Sequence, residues 1–299
     1  MKKLKILVTG ANGALGKILI RKFQYMQFEY LAAVRNDLID KTDSKVVKCD
    51  ITEIDNVKSV VSEFQPNTIV HLAGLTGNIE CETNPHKAFI LNVLGTYNVL
   101  QASIKTKPKI IFSSSREVYG NTEKKIKEND RLMPINVNGR TKMISENLIL
   151  NFHSLYKIPY EILRFTNFYG ENCEKRGISA MIKNAIEGKH ISIFGGKQSL
   201  DLLYFEDAAN AIIKAIRHKK SDIFNIGGGN SITPLSLLKM IEKINERKNL
   251  FKILPYRDFE VRSFSIDLNK SRKILKFQTT HNLDIVLSKM FKKWATKTS

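Results

Sequence analysis

Residues 4–23 leave few folds open to this chain. Leu4-Lys5-Ile6-Leu7-Val8 is an aliphatic run the length of one buried strand, and Thr9-Gly10-Ala11-Asn12-Gly13-Ala14-Leu15-Gly16 follows, with three glycines spaced three apart. Lys17-Ile18-Leu19-Ile20-Arg21-Lys22-Phe23 then reads as a helix. A strand that turns through glycines into a helix aims the unpaired N–H groups of the first helical turn at whatever lies above the sheet edge. Those donors, with the positive end of the helix dipole, suit a pyrophosphate. Gly10 would allow the tight turn, Gly13 close approach of a ligand to the backbone, and Gly16 close packing of helix on strand. A dinucleotide held here would touch Gly10, Asn12, Gly13, Ala14, Leu15 and Gly16. The spacing is one residue longer than the common dinucleotide fingerprint, and strand–turn–helix units without ligands use glycine too. Its place inside a βα unit carries the reading.

Strands and helices then alternate. Residues 30–34 read as a second strand, 46–50 as a third, 54–64 as a helix, 68–72 as a fourth strand, 85–100 as a helix and 109–112 as a fifth strand. That alternation implies an α/β fold, a doubly wound parallel sheet with helices on both faces and ligands at the carboxyl ends of the strands. About 20 residues beyond the glycines an acidic residue would bind the adenosine ribose of NAD. Arg35 stands there, with Asp37 two residues on. A guanidinium suits a 2′-phosphate or stacks on adenine, so the cofactor is NAD or NADP with a tilt toward NADP. Asp50 and Ile51 would border the adenine, and Leu72-Ala73-Gly74 would let a cofactor lie against the backbone. His71, inside an apolar strand, reads as a packed core residue.

The 299 residues are enough for one large domain or two smaller ones. A net charge of +19 raises nucleic-acid binding, but the lysines are scattered and no basic recognition helix or aromatic-studded strand accompanies them. The expectation is a lysine-rich solvated surface that attracts an anionic small substrate, with no nucleic acid as partner. No apolar run is long enough to cross a bilayer, so no membrane insertion is expected. Met1-Lys2-Lys3 is basic, but the apolar stretch after it ends at Gly10, unlike a signal peptide. Cys49, Cys81 and Cys173 are far apart and lack metal-ligand spacing, which points to a reducing, cytoplasmic home and no bound metal.

The fifth strand runs into Ser113-Ser114-Ser115-Arg116-Glu117-Val118-Tyr119-Gly120. With Thr9 to Gly16, His71-Leu72-Ala73-Gly74 and Asn92-Val93-Leu94-Gly95-Thr96, it resembles an extended short-chain dehydrogenase/reductase (a Rossmann fold). More narrowly, it resembles the NAD-dependent epimerase/dehydratase branch acting on nucleotide sugars. Leu163-Arg164-Phe165-Thr166-Asn167-Phe168-Tyr169-Gly170, Ile193-Phe194-Gly195-Gly196, residues 201–207 and Phe224-Asn225-Ile226-Gly227 extend the likeness over nearly the whole chain. It implies a dinucleotide-binding domain at 1–166 and about 201–228, and a smaller α/β nucleotide-sugar domain at about 167–200 and 229–299. It also implies Asn92 and Ser113 near the cofactor, a homodimer through helices at 91–100 and 142–150, and a place in bacterial surface polysaccharide synthesis.

The family's reaction usually starts with hydride transfer from a sugar carbon, while a tyrosinate, its pKa lowered by a lysine four residues on, takes the hydroxyl proton. The resemblance assigns the hydroxyl that holds the sugar oxygen to Ser115 and the lysine to Lys142. The tyrosine position is Asn138, and no tyrosine lies between Tyr119 and Tyr156. A carboxamide is no general base near neutrality. The proton would then travel by Lys142, Ser115, Glu117 or a bound water, or Tyr119 or Tyr169 would reach in. Otherwise the chain binds cofactor and sugar nucleotide with weak turnover or none. Family dehydratases tend to carry an Asp-Glu pair where Arg116-Glu117 stands, so water elimination is disfavoured. Glu117 fits C5 proton chemistry, a decarboxylase-like site or a structural ion pair with Arg116, and simple oxidation, reduction or epimerisation at C4 asks least of these residues. Asn167 resembles the asparagine near the sugar and diphosphate. Leu200 stands where the family often has an arginine, so Arg257 or Arg262 would supply that charge, unless both are solvated surface side chains. Helices are expected at 178–187, 206–217, 234–247 (capped by Thr233) and 283–294, with a strand at 191–194.

Overall fold

The computed structural model describes residues 4–35, 45–174, 177–246, 248 and 251–295; residues 1–3, Asp37 and Arg247 lie outside them. Strand β1 (Lys5–Thr9) turns through the glycines into α1 (Ala14–Tyr25), followed by β2 (Glu29–Val34), β3 (Val46–Lys48), α2 (Ile54–Phe64) and β4 (Thr68–His71). After the short helices α3 (Asn78–Thr83) and α4 (Pro85–Phe89), a π-helical turn over Ile90–Leu94 leads into α5 (Gly95–Ala102). Periodicity predicts one unbroken helix over 85–100. The extra residue of a π turn leaves no mark in an apolar pattern. Strand β5 (Lys109–Ser115) runs three residues past its expected end because Ser113, Ser114 and Ser115 pair with Leu163, Arg164 and Phe165. The short β6 (Lys125–Ile126), α6 (Val137–Tyr156) and β7 (Tyr160–Phe165) follow.

Seven parallel strands form the main sheet once β11 (Asp222–Ile226) joins at its edge, in the order β11-β7-β5-β4-β1-β2-β3. The order reverses between β1 and β4, the crevice where open α/β sheets take ligands. Side chains alternate across this sheet with the strand period of two. Ile6, Val8, Val70, Ile111, Leu163 and Phe165 meet α1 and α8 (Phe205–Arg217) on one face. Leu7, Ile69, Ile110, Phe112 and Ile162 meet α2, α5 and α6 on the other. Each such aliphatic side chain contributes about 1.5–3 kcal/mol when fully buried, so both helical layers are anchored on one sheet.

The remaining elements build a smaller layer. Strands β8 (Asn167–Tyr169) and β10 (Leu200–Tyr204) pair in parallel, and β12 (Ser231–Ile232) adds to β10 antiparallel. Strand β9 (Ile191–Phe194) pairs with β13 (Phe251–Leu254), and β14 (Ser265–Ile266) with β6. Helices α7 (Gly177–Ile186), α9 (Pro234–Asn245) and α11 (Leu283–Ala295) close a separate apolar cluster around Ile182, Leu237, Met290 and Trp294, and the short α10 (Asn269–Ile274) packs against β11. Thr233 caps α9, its Oγ1 accepting from the Ser236 N–H. Among the described residues no helix is long and apolar enough to cross a membrane.

Candidate active site

The glycine turn fits a pyrophosphate on its own geometry. Helix α1 begins after Gly13 with no side-chain cap and no acidic residue in its first turn, so its leading N–H groups are left for a ligand. Gly10 has φ +69°, and a Cβ there would stand 2.7 Å from the Ala73 nitrogen. At Gly13, which is exposed, a Cβ would meet only the Gly10 carbonyl oxygen, at 3.2 Å; the outward side is open for a ligand. Asn12 and Ala14 are half-buried beside it, while Leu15 and Gly16 pack inward. Arg35 is exposed one residue past β2, and Asp50 is half-buried with Ile51 buried behind it. Asp50 accepts from the Thr52 N–H and hydroxyl, and the Asn98 amide holds the Ile51 and Thr52 carbonyls.

Between the ends of β1 and β4, His71 is fully buried. Thr96 donates its hydroxyl proton to the Asn92 carbonyl at 2.5 Å, so it accepts from His71 Nε2 at 3.1 Å. His71 Nδ1 then accepts from the Thr9 hydroxyl at 2.7 Å, and Thr9 accepts from the Ala73 N–H. This chain assigns a neutral imidazole, and burial holds its pKa down at about 3. His71 fastens the crevice. Leu72, Ala73 and Gly74 continue from it, half-buried. On the π turn, the Asn92 side chain accepts from the Leu75 N–H at 2.8 Å and donates to the Leu75 carbonyl and the Thr141 hydroxyl, each at 3.0 Å. That clamp joins the loop after β4 to α6, and π turns often mark functional positions.

Lys142, one turn past Asn138 on α6, is buried and donates to the Ser113 carbonyl at 2.6 Å. Its ammonium also faces Gly74, 3.9 Å from where a Cβ would be. Burial lowers its pKa to about 8, so a neutral amine is within reach of ordinary pH. Ser115 ends β5, its hydroxyl accepting from the Glu117 N–H at 3.2 Å. The glycine turn, Gly74, Asn92, Ser113, Ser115 and Lys142 thus converge at the carboxyl ends of β1, β4 and β5. Asn138, also buried, donates from Nδ2 to Asn78 Oδ1 at 3.2 Å, while its Oδ1 is buried with no partner among the described residues. Both alternative tyrosines are buried. Tyr119 donates to Asn225 at 2.7 Å, accepts from Arg164, and burial pushes its pKa up to about 12. Tyr169 is buried against Tyr204 and its pKa is raised by desolvation.

Beyond Ser115, Arg116 and Glu117 are both buried and joined, Nη2 to Oε1 at 2.9 Å, with the guanidinium 4.7 Å over the Phe264 ring. The second Glu117 oxygen accepts from Asn136 Nδ2 at 2.6 Å. The ion pair, one of the three readings of Glu117, is therefore present. Asn167 begins β8 with its Oδ1 buried and unpartnered among the described residues. Arg257 lies flat on Phe194 at 3.4 Å and pairs with Glu260 at 3.2 Å, and exposed Arg262 stacks on Tyr256 at 4.8 Å. Sequence reasoning missed Asn78, Asn136 and Glu260. Asn136 carries a faint signal, an N-cap residue three positions before a glycine; Glu260 sits three residues after an arginine; Asn78 carries none.

The model of the NAD dependent epimerase/dehydratase family matches residues 6–227. A curated UDP-glucose 4-epimerase of Lactobacillus helveticus is 27% identical over 319 residues, covering 97% of this chain and 96% of that one. The crystal structure of UDP-glucose 4-epimerase from Thermotoga maritima with UDP-glucose superposes with a TM-score of 0.91 at 23% identity, over 99% of this chain and 100% of that one. UDP-glucuronic acid 4-epimerase from Bacillus cereus, in complex with UDP-glucuronic acid and NAD, gives 0.89 at 24% identity over 98% and 100%.

Proposed function

The chain belongs to the NAD dependent epimerase/dehydratase family, and from that membership we propose an enzyme that oxidises, reduces or epimerises C4 of a nucleotide-activated sugar. The observation that carries this reading is buried Lys142, held at the end of β5 between Ser113 and Gly74 beside the glycine turn. In this reading the first turn of α1 takes the pyrophosphate, Asp50 and Ile51 border the adenine, and Ala73, Gly74, Asn92, Ser113 and Lys142 hold the nicotinamide end. The bound nicotinamide nucleotide would accept and return a hydride. The tilt toward NADP drawn from Arg35 has no support in the relatives, one of which was solved with NAD; NAD is the better choice. Ser115 holds the sugar hydroxyl, and Lys142, neutral above about 8, takes its proton through that hydroxyl or a water. Asn138, oriented by Asn78, accepts a hydrogen bond from the sugar where the family uses a tyrosinate. Glu117, with both oxygens engaged, serves as the partner of Arg116. Asn167, with Arg257 turned from Phe194 and Arg262 from Tyr256, would take the diphosphate, since an arginine fork suits phosphate. A division into a dinucleotide-binding domain and a smaller sugar-nucleotide domain, a cytoplasmic home and a homodimer complete the proposal.

One observation favours a second reading. The Asn138 amide is already hydrogen-bonded to Asn78 where a proton carrier is expected, which suits a binding protein with slow turnover. Purified protein should bind NAD, and UDP-, GDP-, CDP- or dTDP-sugars should change the nicotinamide absorbance. Binding without any such change supports the second reading, and absence of nicotinamide nucleotide binding overturns both.

A further inference from the structure

We infer that Asn136 is a positioning residue that couples the nucleoside-diphosphate end of the site to its sugar end through the first turn of α6. The inference rests on the site reading above. Asn136 is 1% exposed and its carboxamide is fully used. Oδ1 accepts from the Gly139 N–H at 2.8 Å and so caps α6. Nδ2 donates to Glu117 Oε2 at 2.6 Å and to the Phe259 carbonyl at 3.1 Å. A helix cap needs only an acceptor, which serine or aspartate supplies equally well. The two donor bonds are surplus to capping, and they join segments more than a hundred residues apart.

What lies at each end gives the bridge its meaning. Phe259 stands between Arg257 and Arg262, in the segment assigned above to the diphosphate. Arg257 is engaged there with Phe194 and Glu260, and one Glu260 oxygen is buried without a partner among the described residues. The same segment is bonded along the chain that follows Glu117: the Arg262 N–H donates to Asn121 Oδ1 at 2.7 Å, the Thr122 N–H donates to the Ser263 carbonyl at 3.1 Å, and β14 pairs with β6. At the other end Glu117 is held between Asn136 and Arg116, next to Ser115. When Arg257 turns from Phe194 toward a diphosphate, the Phe259 carbonyl moves with its chain. Asn136 follows, and it carries Glu117 and the start of the helix bearing Asn138.

The test is titration of UDP and, separately, NAD into the full chain and its Asn136→Asp and Asn136→Ser variants between pH 5 and 8. Aspartate keeps the acceptor that caps Gly139 but sets a carboxylate against Glu117, in a neighbourhood that also holds Arg116, Glu260, Arg257, Glu82 (which accepts from the Val137 N–H at 2.6 Å) and, facing Arg116, Asp201. Like charges that close cannot both stay ionised without cost, and a shared proton rejoins them in acid. UDP binding by Asn136→Asp is expected to weaken about tenfold or more at pH 8 and to recover toward pH 5. Asn136→Ser, which caps but does not reach Glu117, should weaken UDP binding at every pH. NAD affinity should stay within about twofold of wild type in both, since the glycine turn is untouched. Wild-type UDP affinity in both variants across the range overturns the coupling and leaves Asn136 a cap. Failure of the wild-type protein to bind UDP overturns the site reading and the coupling with it.

Discussion

Burial alters the chemistry of Lys142 in the direction the reaction needs. Desolvation favours the uncharged amine, so the folded chain lowers its pKa from the ordinary lysine value to about 8. If the neutral amine takes the sugar proton, turnover should climb as pH rises through about 8 and level off above it. Lys142→Met should lower kcat by ~10²–10⁴ and abolish that climb; a profile unchanged in the variant places the proton elsewhere. Ser115 and Lys142 stand out as candidates in the sequence because each sits in a short motif whose neighbours mark it. Asn136 and Asn78 were not, since their partners Phe259, Glu117 and Asn138 lie 123, 19 and 60 positions away, and contacts at such separations leave no periodicity behind. His71 reads correctly from its apolar strand alone, although its two hydroxyl partners come from other elements.

At the level of single elements, the strand–turn–helix unit separates two uses of glycine. Gly10→Ala would place a methyl against the Ala73 backbone at a φ of +69°, so it should destabilise the fold by ~1 kcal/mol or more. Gly13→Ala meets only one backbone carbonyl, at 3.2 Å, at an ordinary φ, and should lower the melting temperature less than Gly10→Ala. Yet it should bind NAD at least about tenfold more weakly, a loss of ~1.4 kcal/mol, because the methyl occupies the ligand's side. Thermal melts and NAD titrations read the two effects apart; equal behaviour of both variants would deny Gly13 a ligand-facing role. The parallel sheet was open to sequence reading because buried strands are short, aliphatic and spaced by helices. The π turn carrying Asn92 and the extension of β5 through three serines were not. One is an insertion within a helical period and the other a pairing decided by β7.

Across the whole molecule, the basic surface and the apolar outer face of the helices make separate demands. Phe89, Tyr97, Ile144 and Leu155 are exposed on α4, α5 and α6, Leu155 at 63%. That is apolar area a monomer would leave in water, and a second copy of the chain is the occupant proposed. Sedimentation should find a dimer, and Tyr97→Glu with Leu155→Glu should yield monomer that keeps NAD affinity. A wild-type chain that sediments as monomer at high concentration would count against it. The net charge of +19 would keep such dimers apart from one another. Trp294, the chain's single tryptophan, is 1% exposed against Ile182, Leu237 and Met290, outside both faces of the parallel sheet. The protein therefore carries one indole fluorophore, seated only in the smaller layer, while the sheet layers emit through tyrosine alone. A red shift of that emission without loss of the far-ultraviolet dichroism would mark the layer opening before the rest unfolds.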